Sequence, residues 1–213
     1  MSSGVFSSDT IDREPTAVAP PGSRLSDTPE TACGVSISSA LNQFCSRVYW
    51  VMVVMDVFTR RIIGFGVAAA NLDGIRVCRM FNRAIARQTL PRHLSSDHDP
   101  PFRFHRWRAN LRVLEVDEIK TIPGTPRSHA FVERLIGTIR REYLDRIWFW
   151  NQTDLERKLE DYKVFYNQFR CHTGLTGVTP AQRSGAPPSP LAHLNSYRWR
   201  QHCNGLFQTP AAA

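Results

Sequence analysis

The sequence predicts an α/β domain, and three patterns carry that prediction. A continuous apolar run, Val48-Tyr49-Trp50-Val51-Met52-Val53-Val54-Met55, has the length of a strand and the composition of one buried on both faces. Apolar residues then recur with the helical period over about 75–87, 128–147 and 153–168. Strand-like stretches at 62–67, 94–96 and 113–122 fall before or between those helices, the alternation expected of helices laid on a sheet.

Each element follows from local chemistry. The first 47 residues are rich in Ser, Thr, Pro and Ala without a sustained period, so much of this stretch is expected to be disordered or atypical. Arg60-Arg61 turns the first strand into a second, Ile62-Ile63-Gly64-Phe65-Gly66-Val67. Asn71-Leu72-Asp73-Gly74 opens a helix whose buried stripe is Val77, Met80, Phe81, Ala84 and Ile85. Leu94-Ser95-Ser96 reads as a strand end that spills into the loop Asp97-His98-Asp99, and a short helix is expected over 102–111. The loop Pro123-Gly124-Thr125-Pro126 leads to Ser128, which suits a helix cap. Thr153 with Glu156 reads as a capping box for the last long helix, with Leu155, Leu159, Tyr162 and Tyr166 facing the core. The domains expected are thus an atypical segment over 1–47, a core over 48–184, and a basic, Pro-containing tail over 185–213. In that tail Tyr197-Arg198-Trp199-Arg200 interleaves aromatic and basic side chains, which either stack on nucleic acid or anchor the tail to the surface.

Charge is unevenly spread. Residues 1–33 hold five acids against two arginines, a net of −3, so the remaining chain carries +11 of the formal total of +8. A basic body with a pI near 9.7 either attracts polyphosphate, in a salt-sensitive way, or keeps a basic surface solvated. No apolar run is long enough for a membrane span, and the N-terminus lacks the basic-then-apolar order of a signal peptide. Cys33, Cys45, Cys78, Cys171 and Cys203 are widely spaced and odd in number, which suggests neither a zinc module nor a disulfide framework. A reducing cytoplasm is the expected compartment.

Asp97 and Glu133 are the most informative acids, with 35 residues between them. One stands at a strand end and the other in the first turns of a helix, from which two carboxylates can meet and hold a hard divalent cation such as Mg²⁺ or Mn²⁺. The plainer alternative makes Asp97 a loop cap and Glu133 a surface charge. Four segments in order bear on the choice. They are Asp56-Val57-Phe58-Thr59-Arg60 after the first strand, Ser96-Asp97-His98, Phe131-Val132-Glu133 with Thr138-Ile139-Arg140-Arg141-Glu142, and Tyr166-Asn167-Gln168-Phe169-Arg170-Cys171-His172 before Thr179-Pro180. Together they resemble the retroviral-integrase core and the related transposases of bacterial insertion sequences, from about Val48 to Arg183.

The resemblance implies a ribonuclease-H-like fold, a mixed five-stranded sheet flanked by helices. It implies metal-dependent strand transfer on DNA during transposition and integration, with Asp97 and Glu133 as catalytic metal ligands for Mg²⁺ or Mn²⁺. Arg140 and Arg141 become the leading phosphate contacts, unless they are simply a solvated face; Arg134 and His129 are further candidates for DNA contact. Gly137, where some relatives carry a basic residue, adds no grip. DNA is the expected partner, with a homo-oligomer or a mixed oligomer with full-length transposase, and no membrane. Asp56 belongs to the turn and is expected to be structural. The family's first catalytic Asp should lie mid-strand within Ser36–Asn42, yet no acid occurs between Glu30 and Asp56. Catalysis is therefore expected to be impaired and metal binding weakened, as in an element whose 5′ reading frame has been altered. The alternative is a catalytically inactive remnant that binds nucleic acid or self-associates.

Overall fold

The computed structural model describes residues 32–42, 47–69, 71–86, 88–96, 99–120, 130–188, 190, 192–193 and 195–213. Its centre is a five-stranded sheet built from β1 (Ala32–Asn42), β2 (Arg47–Asp56), β3 (Ile62–Ala69), β4 (His93–Ser96) and β5 (Asp117–Lys120). The strand order is β3-β2-β1-β4-β5. β1 runs antiparallel to β2 and parallel to β4, and β4 runs parallel to β5, so the sheet is mixed.

β1 differs from the sequence expectation. Residues 32–42 form the middle strand of the sheet, within the stretch read as disordered or atypical. The misleading signal was small-residue content. Gly34, Ser36, Ser38 and Ala40 alternate with the bulkier Cys33, Val35 and Ile37, a period-two pattern that a Ser-rich composition conceals. Residues 1–31 lie outside the described residues.

Helices cover both faces. On one face α1 (Gly74–Ala84) and α2 (His105–Val113) bury Val77, Met80, Phe81, Trp107 and Leu111 against Cys33, Val35, Met52, Val54 and Leu94. On the other, α3 (Ala130–Glu142) and α4 (Gln152–Gln168) bury Val132, Leu135, Ile139, Leu155, Leu159 and Tyr162 against Val51, Val53 and Met55. β2 serves both layers, as its continuous apolar run predicts. Glycine sets the spacing on the first face, because a Cβ added to Gly66 would stand 2.3 Å from the Met80 carbonyl oxygen.

The β2–β3 turn is built around Asp56. Its Oδ1 accepts from the Phe58 amide at 2.9 Å, and its Oδ2 accepts from the Thr59 hydroxyl at 2.7 Å. Asp56 is thus committed to the turn. A bulge after the turn inserts Ile63 and brings Ile62 opposite Met55, on the α3–α4 side. There the buried Asn167 side chain completes the sheet edge: the Ile62 amide donates to Asn167 Oδ1 and Asn167 Nδ2 donates to the Ile62 carbonyl, both at 2.9 Å.

Two further expectations change. α4 is capped by Asn151, which accepts from the Asp154 amide at 2.9 Å, rather than by a Thr153–Glu156 box. The helix begins at Gln152, so Thr153 already lies inside the first turn, and Glu156 accepts from Gln152 and pairs with Arg83 instead. The stretch read as a tail carries a hairpin of β6 (Tyr197–His202) and β7 (Phe207–Ala212), after a short α5 (Pro180–Arg183). Phe207 stacks on Phe165 of α4 with ring centroids 4.2 Å apart, so an aromatic seam joins hairpin to core.

Gly66→Ala should destabilise the chain by about 2–3 kcal/mol, because the intruding methyl meets helix backbone and not a movable side chain. Asn167→Leu should cost about 1–3 kcal/mol by leaving both Ile62 backbone groups unpaired. Urea unfolding followed by circular dichroism checks both, and an unchanged midpoint in either variant contradicts the packing described.

Candidate functional site

Glu133 stands in the first turn of α3 with its side chain exposed. The helix is held there by the residue before it. A Cβ added to Gly34 of β1 would lie 2.3 Å from Val132 Cγ2, so the N-terminal turn of α3 rests directly on the middle strand. This apolar contact seats Glu133 over the sheet.

The register of β1 then shows what the strand offers the glutamate. Val35 pairs with Ser96, the residue before Asp97, in the parallel β1–β4 ladder, and Ser36 is the next residue along β1. Ser36 also pairs with Val53, which faces α3, and residues paired across a sheet share a face. Its side chain is therefore on the Glu133 side of the sheet, 6% exposed. β1 contains no Asp, Glu or His at any position. Among the described residues no group of three or more His, Cys, Asp or Glu is placed to hold a metal ion.

Of the residues singled out from the sequence, Glu133, Arg134, Arg140 and Arg141 are described, and α3 carries all four. Asp97 and His98, like Ser128 and His129, lie outside the described residues. Arg140 is about half exposed and faces Asp145 at 3.8 Å, a loose surface pairing. Arg141 folds back along the helix, with its Nη1 only 3.0 Å from where a Cβ on Gly137 would be. Gly137 and Glu133 share a helix face, so the glycine opens room for a guanidinium one turn from the glutamate. Glycine at 137 adds no charge of its own, but it admits that of Arg141.

Two features escaped the sequence reading. Glu118 of β5 accepts from the Ser96 hydroxyl at 2.6 Å and from Trp107 Nε1 at 3.0 Å, tying the end of β4 to α2. Nothing in Val116-Asp117-Glu118-Ile119-Lys120 marks Glu118 as different from its neighbours, because the partners come from two other elements. The second feature is a clamp between α3 and the end of α4. Arg170 donates through both terminal nitrogens to the Glu142 carboxylate, one of the two bonds being 2.9 Å long. Such a bidentate pair holds the basic helix against α4 with fixed geometry.

Residues 115–180 match the family model described as the integrase core domain. An uncharacterised protein of insertion element IS476 from Xanthomonas euvesicatoria is 28% identical over 131 residues, 62% of this chain and 38% of that protein. The putative transposase InsK of element IS150 from Escherichia coli is 26% identical over 140 residues, 64% of this chain and 48% of that protein. The chain thus spans less than half the length of these relatives. In solved structures, the fold is similar to a chain of the simian T-cell lymphotropic virus intasome, with a TM-score of 0.57, 19% identity, and coverage of 85% of this chain and 68% of that one. It is also similar to the HTLV-2 integrase catalytic core in complex with magnesium, with a TM-score of 0.53, 17% identity, and coverage of 72% and 95%. The mixed five-stranded sheet is therefore ribonuclease-H-like, as in the retroviral integrase cores, and the chain is similar over part of its length to the integrase core domain and to proteins of bacterial insertion elements.

Proposed function

We propose that this chain is a DNA-binding transposase core whose phosphodiester strand transfer is impaired. The observation that carries the reading is Ser36, a neutral side chain on the middle strand, one residue past the Val35–Ser96 pair and facing the helix of Glu133. Two-metal phosphoryl transfer requires carboxylates that bridge both ions. Sequence supplies Asp97 and Glu133 as the two remaining candidates for Mg²⁺ or Mn²⁺, and β1 supplies none. That donor set does not fit a two-metal centre.

DNA binding is supported by the basic character of α3, where Arg134, Arg140 and Arg141 are all exposed, and by the +11 carried outside residues 1–33. Phosphate contacts of this kind give affinity without sequence preference. A second reading, a self-associating remnant that enters mixed oligomers with intact transposase, is favoured by Trp148 and Trp150. These two residues, between α3 and α4, are 60% and 70% exposed, and large exposed aromatics are enriched at protein interfaces. The HTLV-2 core, described in trimeric and dimeric forms, is a self-associating relative in fold.

Incubation of supercoiled plasmid with the purified chain and Mn²⁺, beside Glu133→Gln, should give no nicking by either protein, while both retain DNA in a salt-sensitive manner. Nicking by the parent chain that disappears in the variant overturns the impaired-enzyme reading. Ser36→Asp tests the register independently. Placing a carboxylate at this buried position should destabilise the metal-free chain by about 2 kcal/mol, a fall in Tm of roughly 4–8 °C. Mn²⁺ should recover more of that loss in Ser36→Asp than it adds to the parent chain. Equal Mn²⁺ responses in the two proteins place the missing ligand elsewhere.

A further inference from the structure

Beside the glutamate face, α3 presents a second face to a small cleft that the sequence reading did not assign. Phe131, Arg134, Leu135 and Thr138 follow the i, i+3, i+4, i+7 pattern, with Arg134 about 100° around the helix from Glu133. They enclose a cavity of about 190 Å³ together with Arg60 of the β2–β3 turn and His172 after α4. Ligand pockets for drug-sized molecules run roughly from 300 to 1,000 Å³, so this space suits a single small group.

Its polar lining selects an anion. Arg60 and Arg134 form no ion pair among the described residues, and Arg60 lies over the Phe131 ring. Arg170 closes the back wall with its charge already matched by Glu142, while its Nε is buried without a hydrogen-bond partner. His172 Nε2 is likewise buried and unpartnered. Burial, then Arg170 and Arg60, hold the His172 pKa down to about 4, so at neutral pH the ring is uncharged and is free to carry its proton on Nε2 as a donor. The Arg60 pKa is lowered chiefly by burial, with Arg134 acting in the same direction. No carboxylate lines the cavity among the described residues. Two cations held near one another and two unpaired buried nitrogens all gain from one acceptor-rich, negatively charged group.

We infer that the pocket bounded by Arg60, Arg134 and His172 is a phosphate-binding site, and that it grips one backbone phosphate of DNA lying along α3. This assignment rests on the DNA-binding reading above and gives it a defined point of contact. Arg60 reaches the pocket because the β2–β3 turn holds it at a positive φ of 63°, anchored by Asp56 on one side and the start of β3 on the other. The site thus joins the turn, the basic helix and the segment after α4 around a single ligand.

The test is the salt dependence of duplex binding, read by fluorescence anisotropy, for the parent chain, Arg60→Gln, Arg134→Gln and the double variant. Loss of one phosphate contact should lower the slope of log K against log salt by about 1 in each single variant, with no further fall in the double variant because both arginines hold the same phosphate. Arg134 is exposed, so its variant keeps the test valid should Arg60→Gln perturb the turn. A parallel series measures the Tm rise given by millimolar inorganic phosphate over chloride at matched ionic strength, which Arg134→Gln should abolish. DNA binding with unchanged slopes in the variants overturns the pocket and leaves the DNA reading intact. An Arg134-dependent phosphate response without DNA binding upholds the pocket for free phosphate and overturns its assignment to DNA. Absence of both responses overturns the two together.

Discussion

The fold depends on how closely α3 can approach the middle strand. Gly34, Ser36, Ser38 and Ala40 occupy the face of β1 that looks toward α3 and α4, and none has a side chain larger than serine's. Val132 settles into the space left by Gly34, and that single contact sets the height of the helix over the sheet. Glu133, Arg134 and Arg141 inherit their positions from it. A larger residue at position 34 would lift the N-terminal turn of α3 and displace the glutamate and the phosphate pocket at once, since both belong to the same two turns.

That constraint also explains which parts of the molecule the sequence could disclose. β2, α1 and the stripe of α4 announce themselves through apolar periodicity, because each buries large side chains: Val51 to Met55, Val77 with Met80 and Phe81, and Leu155 with Leu159 and Tyr162 are all buried as their spacing predicts. β1 does not, because closeness to α3 demands small residues on one face, and small polar residues resemble a linker. The hairpin of β6 and β7 was hidden for a different reason. Its stability comes from Phe207 against Tyr143, Tyr162 and Phe165, contacts distant in sequence for which local pattern gives no sign. The cap of α4 shows the limit of motif spacing, since Thr153 and Glu156 fit a capping box and Asn151 captures the helix start first.

The candidate site was legible to the extent that it follows one helix. The motif order marked Glu133, Arg140 and Arg141, and α3 carries them as a unit. The closing segment Tyr166–His172 was recognisable as a signature, but its physical role needed three dimensions. Asn167 completes the edge of β3, Arg170 locks Glu142, and His172 turns an unpaired nitrogen into the wall of a cavity. These residues are spaced so that one face of the α4 terminus serves the sheet and the next serves α3. Sequence separation from Ile62 to Asn167 is 105 residues, which places that hydrogen-bonded pair beyond any local reading.

The same geometry separates the shape of the sheet from the charge it carries. Carboxylates gathered near the centre of a sheet repel one another and lose hydration unless metal neutralises them, so an acid on β1 is a cost to the metal-free fold. Serine at position 36 carries no such cost and keeps the small volume that α3 requires. Replacement of Gly34 would do the opposite, sparing the chemistry of the acids but expelling the helix that carries Glu133. Selection for folding alone therefore tolerates a neutral side chain at position 36 and resists change at the glycine two residues before it. The proposed phosphate site is independent of that position, because Arg60, Arg134 and His172 are positioned by the β2–β3 turn, the face of α3 and the end of α4, and none of them depends on which side chain β1 offers at position 36.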